Sequence, residues 1–80
     1  MEEVYIIFSI EIEDRLMERG IFAWVNYYPS TDRFFVETDE GTTIVSGVTE
    51  LIHRGCSSRQ MSEAIIRSIR KHKFMNKFSA

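Results

Sequence analysis

IFAWVNYYPSTDRFFVET, residues 21–38, contains two runs of aromatic and β-branched residues on either side of Pro-Ser-Thr-Asp. Such runs favour β-strands, and a polar interruption that contains proline is typical of a turn. The segment therefore predicts a β-hairpin whose strands, 21–28 and 33–38, are joined by a four-residue loop.

The loop length decides which side chains of this hairpin share a face, because successive side chains of a strand point to opposite sides. A four-residue loop pairs Tyr28 with Arg33, and the pairing then continues outward along both strands. One face is a predicted core of Ala23, Val25, Tyr27, Phe34 and Val36. The other face mixes the aromatic residues Phe22, Trp24, Tyr28 and Phe35 with Asn26, Arg33 and Glu37. A loop one residue longer or shorter places Trp24, Tyr28 and Phe34 in the core instead, and the sequence leaves that alternative open.

The chain after the hairpin predicts a third strand and two helices. Asp-Glu-Gly at 39–41 indicates a turn, residues 42–45 a strand, and residues 48–54 a short helix that Gly55 ends. Ser57 and Gln60 form the pattern of a capping box, which begins a C-terminal helix. Its apolar stripe ends near His72, so residues 74–80 are a predicted flexible tail.

The N-terminal part is ambiguous between strand and helix. Residues 4–8 are β-branched and aromatic and favour a strand, after which Ser9 can begin a short helix that Gly20 ends. An alternating pattern would instead extend the strand through Ile12. We expect one α+β domain, 1–80. It is a small antiparallel three- or four-stranded meander with a short N-terminal helix and a C-terminal amphipathic helix packed on one face.

Charge is divided by position along the chain. Residues 1–50 hold eleven of the twelve acidic residues and three bases, a balance of -8, whereas residues 51–80 hold seven bases and one acid, a balance of +6. Such asymmetry indicates electrostatic recognition of a partner, or docking of the two halves on each other.

The leading hypothesis is a non-enzymatic binding protein that occupies a surface of a larger macromolecule. A dense array of carboxylates can imitate the phosphates of nucleic acid, and exposed aromatic residues can anchor a protein partner. Small chains of this kind are often inhibitors, adaptors or accessory proteins of phages and plasmids. A protein partner is preferred, and a homodimer is left open. The predicted partner-binding residues are Glu11, Glu13, Asp14, Glu18, Trp24, Tyr28, Arg33, Phe35 and Glu37.

The alternative is a nucleic-acid-binding module that uses the basic C-terminal helix. Its candidate contacts are Arg67, Arg70, Lys71, Lys73 and Lys77. Helix-and-meander layouts occur in double-stranded-RNA-binding domains, whose second helix begins with a basic cluster. Only Arg59 lies in the corresponding first turn here, so the sequence does not support that assignment.

Nothing in the sequence predicts catalysis, a cofactor or a metal. Cys56 precedes a predicted helix and lies three residues from His53, but nucleophilic catalysis also needs an orienting group and an oxyanion hole. One cysteine and two histidines are too few for a structural zinc site.

The single cysteine excludes an internal disulfide, and the acidic start lacks the pattern of a signal peptide. No run of residues is long enough to cross a membrane, and we expect a cytoplasmic protein.

Overall fold

The computed structural model describes the backbone of residues 2–79 and the side chains of residues 3–71. It has the predicted α+β fold, with two helices and a helical turn on one side of a three-stranded antiparallel sheet. The elements in chain order are α1 (Glu2–Glu18), β1 (Ala23–Tyr28), β2 (Arg33–Thr38), β3 (Gly41–Ser46), α2 (Val48–His53) and α3 (Ser58–Ser79).

The predicted hairpin register is confirmed. Tyr28 pairs with Arg33, and the pairing runs from there to Ala23 and Thr38. β3 pairs with the free side of β2, which gives the strand order β1-β2-β3. β2 is therefore the central strand, and β1 and β3 are the two edges of the sheet.

The hydrophobic core lies between one face of the sheet and the helices. Val25, Phe34 and Val36 point from the sheet into this layer, as the four-residue loop predicts. The helices contribute residues at helical spacing, so that each buries one stripe. The helical residues of the core are Ile12 and Leu16 from α1, Val48 from α2, and Met61, Ile65, Ile66 and Ile69 from α3.

The strand predicted at residues 4–8 is wrong, and the sheet has three strands rather than four. This segment forms the first two turns of α1, which is longer than the short helix that was expected. Tyr5, Phe8 and Ile12 follow at intervals of three and four residues and reach the core together, which only a helix allows. Ser9 lies on the same side and donates its hydroxyl to the carbonyl of Tyr5 at 2.7 Å. Burial of this face therefore outweighs the β-propensity of the individual residues.

The helix ends follow the sequence signals. Gly20 has a φ of 77° after α1, and its N–H bonds the carbonyl of Met17 while Ile21 N–H bonds Leu16, which is a Schellman motif. The capping box of α3 is also present. Gln60 N–H bonds the Ser57 hydroxyl at 3.1 Å, and the Gln60 side chain accepts from Ser57 N–H at 2.9 Å.

The C-terminal helix continues past the point at which the apolar pattern stops. The backbone of α3 is helical to Ser79, so the expected end near His72 is wrong. The side chains of residues 72–80 lie outside the described residues. The flexibility predicted for 74–80 stays a prediction.

Substitution of one inward and one outward residue of the sheet checks this arrangement. Val36 is fully buried, so Val36→Ala should lower the free energy of unfolding by about 1–3 kcal/mol through lost burial and a cavity. Ile44 lies on the other face and is 48% exposed, so Ile44→Ala should cost less than about 1 kcal/mol. Urea denaturation followed by circular dichroism measures both values, and equal losses would contradict the assigned faces.

Candidate functional site

The side of the sheet that faces away from the helices is open to solvent and carries aromatic residues. We call it the outer sheet face. Trp24 is 74% exposed at one end of it, and Tyr28 is about half exposed at the other. The outer sheet face consists of the outward residues of the three strands, namely Trp24, Asn26 and Tyr28, then Arg33, Phe35 and Glu37, then Thr42, Ile44 and Ser46.

The charged groups on the outer sheet face are few and balanced. Tyr28 and Phe35 pack together on neighbouring strands, with ring centroids 4.5 Å apart at an angle of 42°. Arg33 pairs with Tyr28 at one end of β2, and Glu37 pairs with Trp24 at the other. The face therefore has one positive and one negative side chain, and its formal charge is zero.

The structure separates the predicted acidic contacts from these aromatic residues. Glu11, Asp14 and Glu18 are exposed on α1, which packs on the opposite side of the sheet. Glu13 is half-buried at the sheet edge, where its carboxylate accepts the backbone N–H of Val25 at 2.8 Å. The predicted partner-binding residues thus form two groups, and one flat partner surface cannot contact both.

The described bases of α3 lie in the helix layer, away from the outer sheet face. Arg67, Arg70 and Lys71 are exposed there, whereas the side chains of Lys73 and Lys77 lie outside the described residues. Where α3 meets α1 the charges are mixed. A shallow cleft there is lined by Arg15, Arg19 and Arg59 together with Glu18 and Glu63.

Within residues 3–71, ion pairs do not join acids of residues 1–50 to bases that lie far from them in residues 51–80. The ion pair between distant residues links Arg19 to Glu63 at 2.9 Å. These are a base of the acidic half and the single acid of the basic half. The other described pair joins Glu50 of the acidic half to Arg54 of the basic half, but the two residues are four apart, within the short helix and its cap.

A polar cluster that the sequence did not reveal surrounds Asp32. The Asp32 carboxylate accepts the Thr49 N–H at 3.0 Å, the Thr49 hydroxyl at 2.6 Å and the Tyr27 hydroxyl at 2.6 Å. Tyr5 joins through Thr49 at 2.8 Å, and its ring stacks on that of Tyr27 at 3.9 Å. Asp32 therefore caps α2 from the hairpin loop, since the N-cap residue Gly47 has no side chain to do so.

The hydrogen bonds of this cluster shift two pKa values in opposite directions. Donation from Thr49 and Tyr27 stabilises the ionised carboxyl and lowers the pKa of Asp32 below its usual 3.8. The same carboxylate holds the proton on the Tyr27 hydroxyl, and together with burial it raises the pKa of Tyr27 from 10.0 to about 12. The hydrogen bonds of the cluster are therefore complete at every pH above the pKa of the Asp32 carboxyl and below the pKa of the Tyr27 phenol.

Cys56 and His53 show no assembled catalytic arrangement. The Cys56 thiol is half-buried against the core, and its nearest hydrogen-bond acceptor is the Ser57 carbonyl at 3.8 Å. Over residues 3–71, no three side chains of His, Cys, Asp or Glu group together in a way that could hold a metal ion.

No family model matches the chain, and neither do the curated proteins or the solved structures with which it was compared. Among the described helices, none is long and apolar enough to cross a membrane. Among the surfaces that the fold presents, the outer sheet face carries the largest exposed aromatic residue, Trp24.

Tyrosine titration tests the Asp32 cluster. We expect a phenol step at about 12 in the native chain, and Tyr27→Phe should remove that step. Asp32→Asn removes the charge that opposes ionisation, so the pKa of Tyr27 should move back toward 10.0. Asp39→Asn, an exposed turn residue, is the control and should change nothing. Ultraviolet absorbance measures the step, and a native Tyr27 that titrates near 10 would refute the cluster.

The same groups predict how stability depends on pH. Asp32 has a lowered pKa in the folded state, so its contribution is present above its unfolded value of 3.8 and is lost as pH falls below it. Tyr27 has a raised pKa, so its contribution is present below pH 10 and is lost as pH rises through about 12. Denaturation midpoints of Asp32→Asn should therefore show a weaker acid dependence than those of the native chain.

Proposed function

We propose that the protein is a binding module that docks its outer sheet face on the surface of a larger protein and acts by occupying it. The observation that carries this proposal is Trp24, which is 74% exposed on a face that no described helix covers. Exposed tryptophan and tyrosine are the residues that most often anchor protein interfaces. The proposed role is that of an inhibitor, adaptor or accessory protein in the cytoplasm.

The charge of the outer sheet face supports a protein partner over nucleic acid. Platforms that stack nucleic-acid bases on aromatic residues also need a positive groove for the backbone. Here Arg33 is balanced by Glu37 on the same strand. Arg67 and Arg70 cannot assist, because α3 lies on the other side of the sheet. An apolar protein surface with an acid opposite Arg33 and a base opposite Glu37 fits this face.

The size of the face indicates how the partner contacts it. Three strands of six residues present roughly 20 by 15 Å, or on the order of 300 Å², from strand rise and spacing. A standard interface buries about 800 Å² on each partner. The contact must therefore extend past the strands, and Phe22, which is 69% exposed just before β1, provides a neighbouring apolar surface.

The second candidate function is nucleic-acid binding by α3. Arg67, Arg70 and Lys71 are exposed on consecutive turns, which is the pattern that follows a phosphate backbone. The acids Glu18 and Glu63 beside Arg15, Arg19 and Arg59 dilute the positive charge where α3 meets α1. We therefore place this function second.

Site-specific crosslinking in the native host separates the two functions. A photoreactive benzoyl-phenylalanine is placed at Trp24 in one variant and at Arg67 in another, both of them exposed positions. We expect a protein adduct from position 24 that survives nuclease treatment. Adducts formed only from position 67, and lost on nuclease treatment, would refute the proposal and favour nucleic acid.

Fluorescence tests the anchor directly, since Trp24 is the only tryptophan. Its emission in the free protein should resemble that of tryptophan in water, should be quenched by iodide, and should shift to the blue with the crosslinked partner. Trp24→Ala should weaken binding by tenfold or more, about 1.4 kcal/mol, while changing stability little. Met17→Ala removes a similarly exposed side chain from α1 and is the matched control. Blue, unquenched emission in the free protein would contradict the exposed anchor.

A further inference from the structure

The outer edge of β1 presents backbone groups without a neighbouring strand. Among the strands of the described chain, β2 alone pairs with β1, so alternate residues along β1 direct their N–H and carbonyl groups outward. The Val25 N–H bonds Glu13 of α1 rather than β2. Ala23 and Tyr27, two residues away on either side, therefore direct their backbone groups to the same edge. An exposed edge of this kind is a template for a further strand.

An apolar groove runs along this edge, between β1 and α1. Its volume is about 580 Å³, and its walls include Ile6, Ile10, Val25, Tyr27 and Pro29. Ile6 and Ile10 are one helical turn apart on α1 and are each more than half exposed. They do not belong to the hydrophobic core, so a large part of their apolar surface is open to solvent along the groove.

The groove contains one charged side chain. Glu13 is half-buried in its wall and has no ion-pair partner in the described part of the chain, residues 3–71. Its hydrogen bond to Val25 N–H occupies the middle amide of the edge. A carboxylate at that place protects the free edge from indiscriminate pairing, and it also offers a cation a partly desolvated partner.

We propose that this groove binds an extended segment of a partner protein, which adds to β1 as a fourth strand. Apolar side chains of the segment contact Ile6 and Ile10, and a lysine or arginine pairs with Glu13. When Glu13 turns from the Val25 N–H to this cation, the Val25 N–H becomes free to donate to a carbonyl of the added strand. The edge of β1 is then paired along its length. Strand addition of this type combines backbone hydrogen bonds for affinity with side-chain pockets for specificity. This surface lies along the edge of β1 and adjoins the outer sheet face at Asn26.

A second copy of the chain fits the groove less well than a basic segment. Two-fold pairing of β1 with β1 about Val25 would bring two Glu13 carboxylates together at the axis, with no cation between them. Like charges in contact oppose association. Charge complementarity therefore selects a segment that carries the opposite sign.

Peptide selection on the full chain tests the proposal. A phage-displayed library of random twelve-residue peptides is selected against the native protein, and the most enriched peptide is synthesised. We expect alternating apolar residues with a lysine or arginine, and binding that shifts the backbone amide resonances of Ala23, Val25 and Tyr27. Ile10→Glu should weaken binding more than tenfold, whereas Ile44→Glu on the far edge strand should leave it unchanged.

A double-substitution cycle tests the role of Glu13. Glu13→Gln keeps an acceptor for the Val25 N–H but removes the charge, and should weaken the peptide about fivefold. Replacing the basic residue of the peptide by methionine should weaken its binding to the native protein by the same factor. The same replacement should not weaken its binding to the Glu13→Gln protein any further. Additive losses would overturn the charge pairing. The proposal that the groove binds an extended segment would be overturned by any of three results. They are failure to select a peptide, loss of peptide binding in Ile44→Glu, and a dimer in which the second copy covers the β1 edge. None of these results depends on the Trp24 crosslink.

Discussion

The four-residue loop between β1 and β2 is the constraint on which the other features depend, because it fixes which residues of the two strands face each other. Asp32, the last residue of the loop, has a φ of 53°. Hydrogen bonds hold both its backbone carbonyl and its side-chain carboxylate. Its carbonyl accepts the Val48 N–H at 3.2 Å, and its carboxylate accepts the N–H and hydroxyl of Thr49. The end of the hairpin is thereby attached to the start of α2. A slip of one residue would break these bonds and would also move every side chain of β1 to the other face.

Both proposed binding surfaces follow from this register, and they share β1. With Tyr28 opposite Arg33, Val25 points into the core and Trp24 points to solvent. The same register directs the N–H of Val25 to the free edge, where Glu13 accepts it. One strand therefore supplies an aromatic residue to the outer sheet face and a row of backbone groups to the groove. A partner protein could use either surface alone, since they lie on different sides of the strand.

The features that the sequence predicted correctly are local. The hairpin, the glycine that ends α1 and the capping box of α3 each depend on residues within a few positions of one another, and the structure has the first of the two hairpin registers that the sequence left open. The features that it missed depend on distant residues. Asp32 and Thr49 are 17 residues apart, and Glu13 and Val25 are 12 apart, so no short pattern connects them. The error at residues 4–8 has the same origin, since a β-branched segment becomes helical when its 3.6-residue stripe is buried by partners elsewhere in the chain.

The cross-strand contacts of β1 and β2 test the register most directly. Because Val25 directs its N–H to the edge, Val25 and Val36 form a non-hydrogen-bonded pair, in which the α-carbons approach to about 4.5 Å. Nuclear Overhauser spectra of the isotope-labelled chain should therefore show strong α-proton contacts between Val25 and Val36, and again between Tyr27 and Phe34. Strong contacts from Val25 to the α-proton of Phe35 or Glu37 would show a slipped strand, and would contradict both the exposed Trp24 and the groove at the β1 edge.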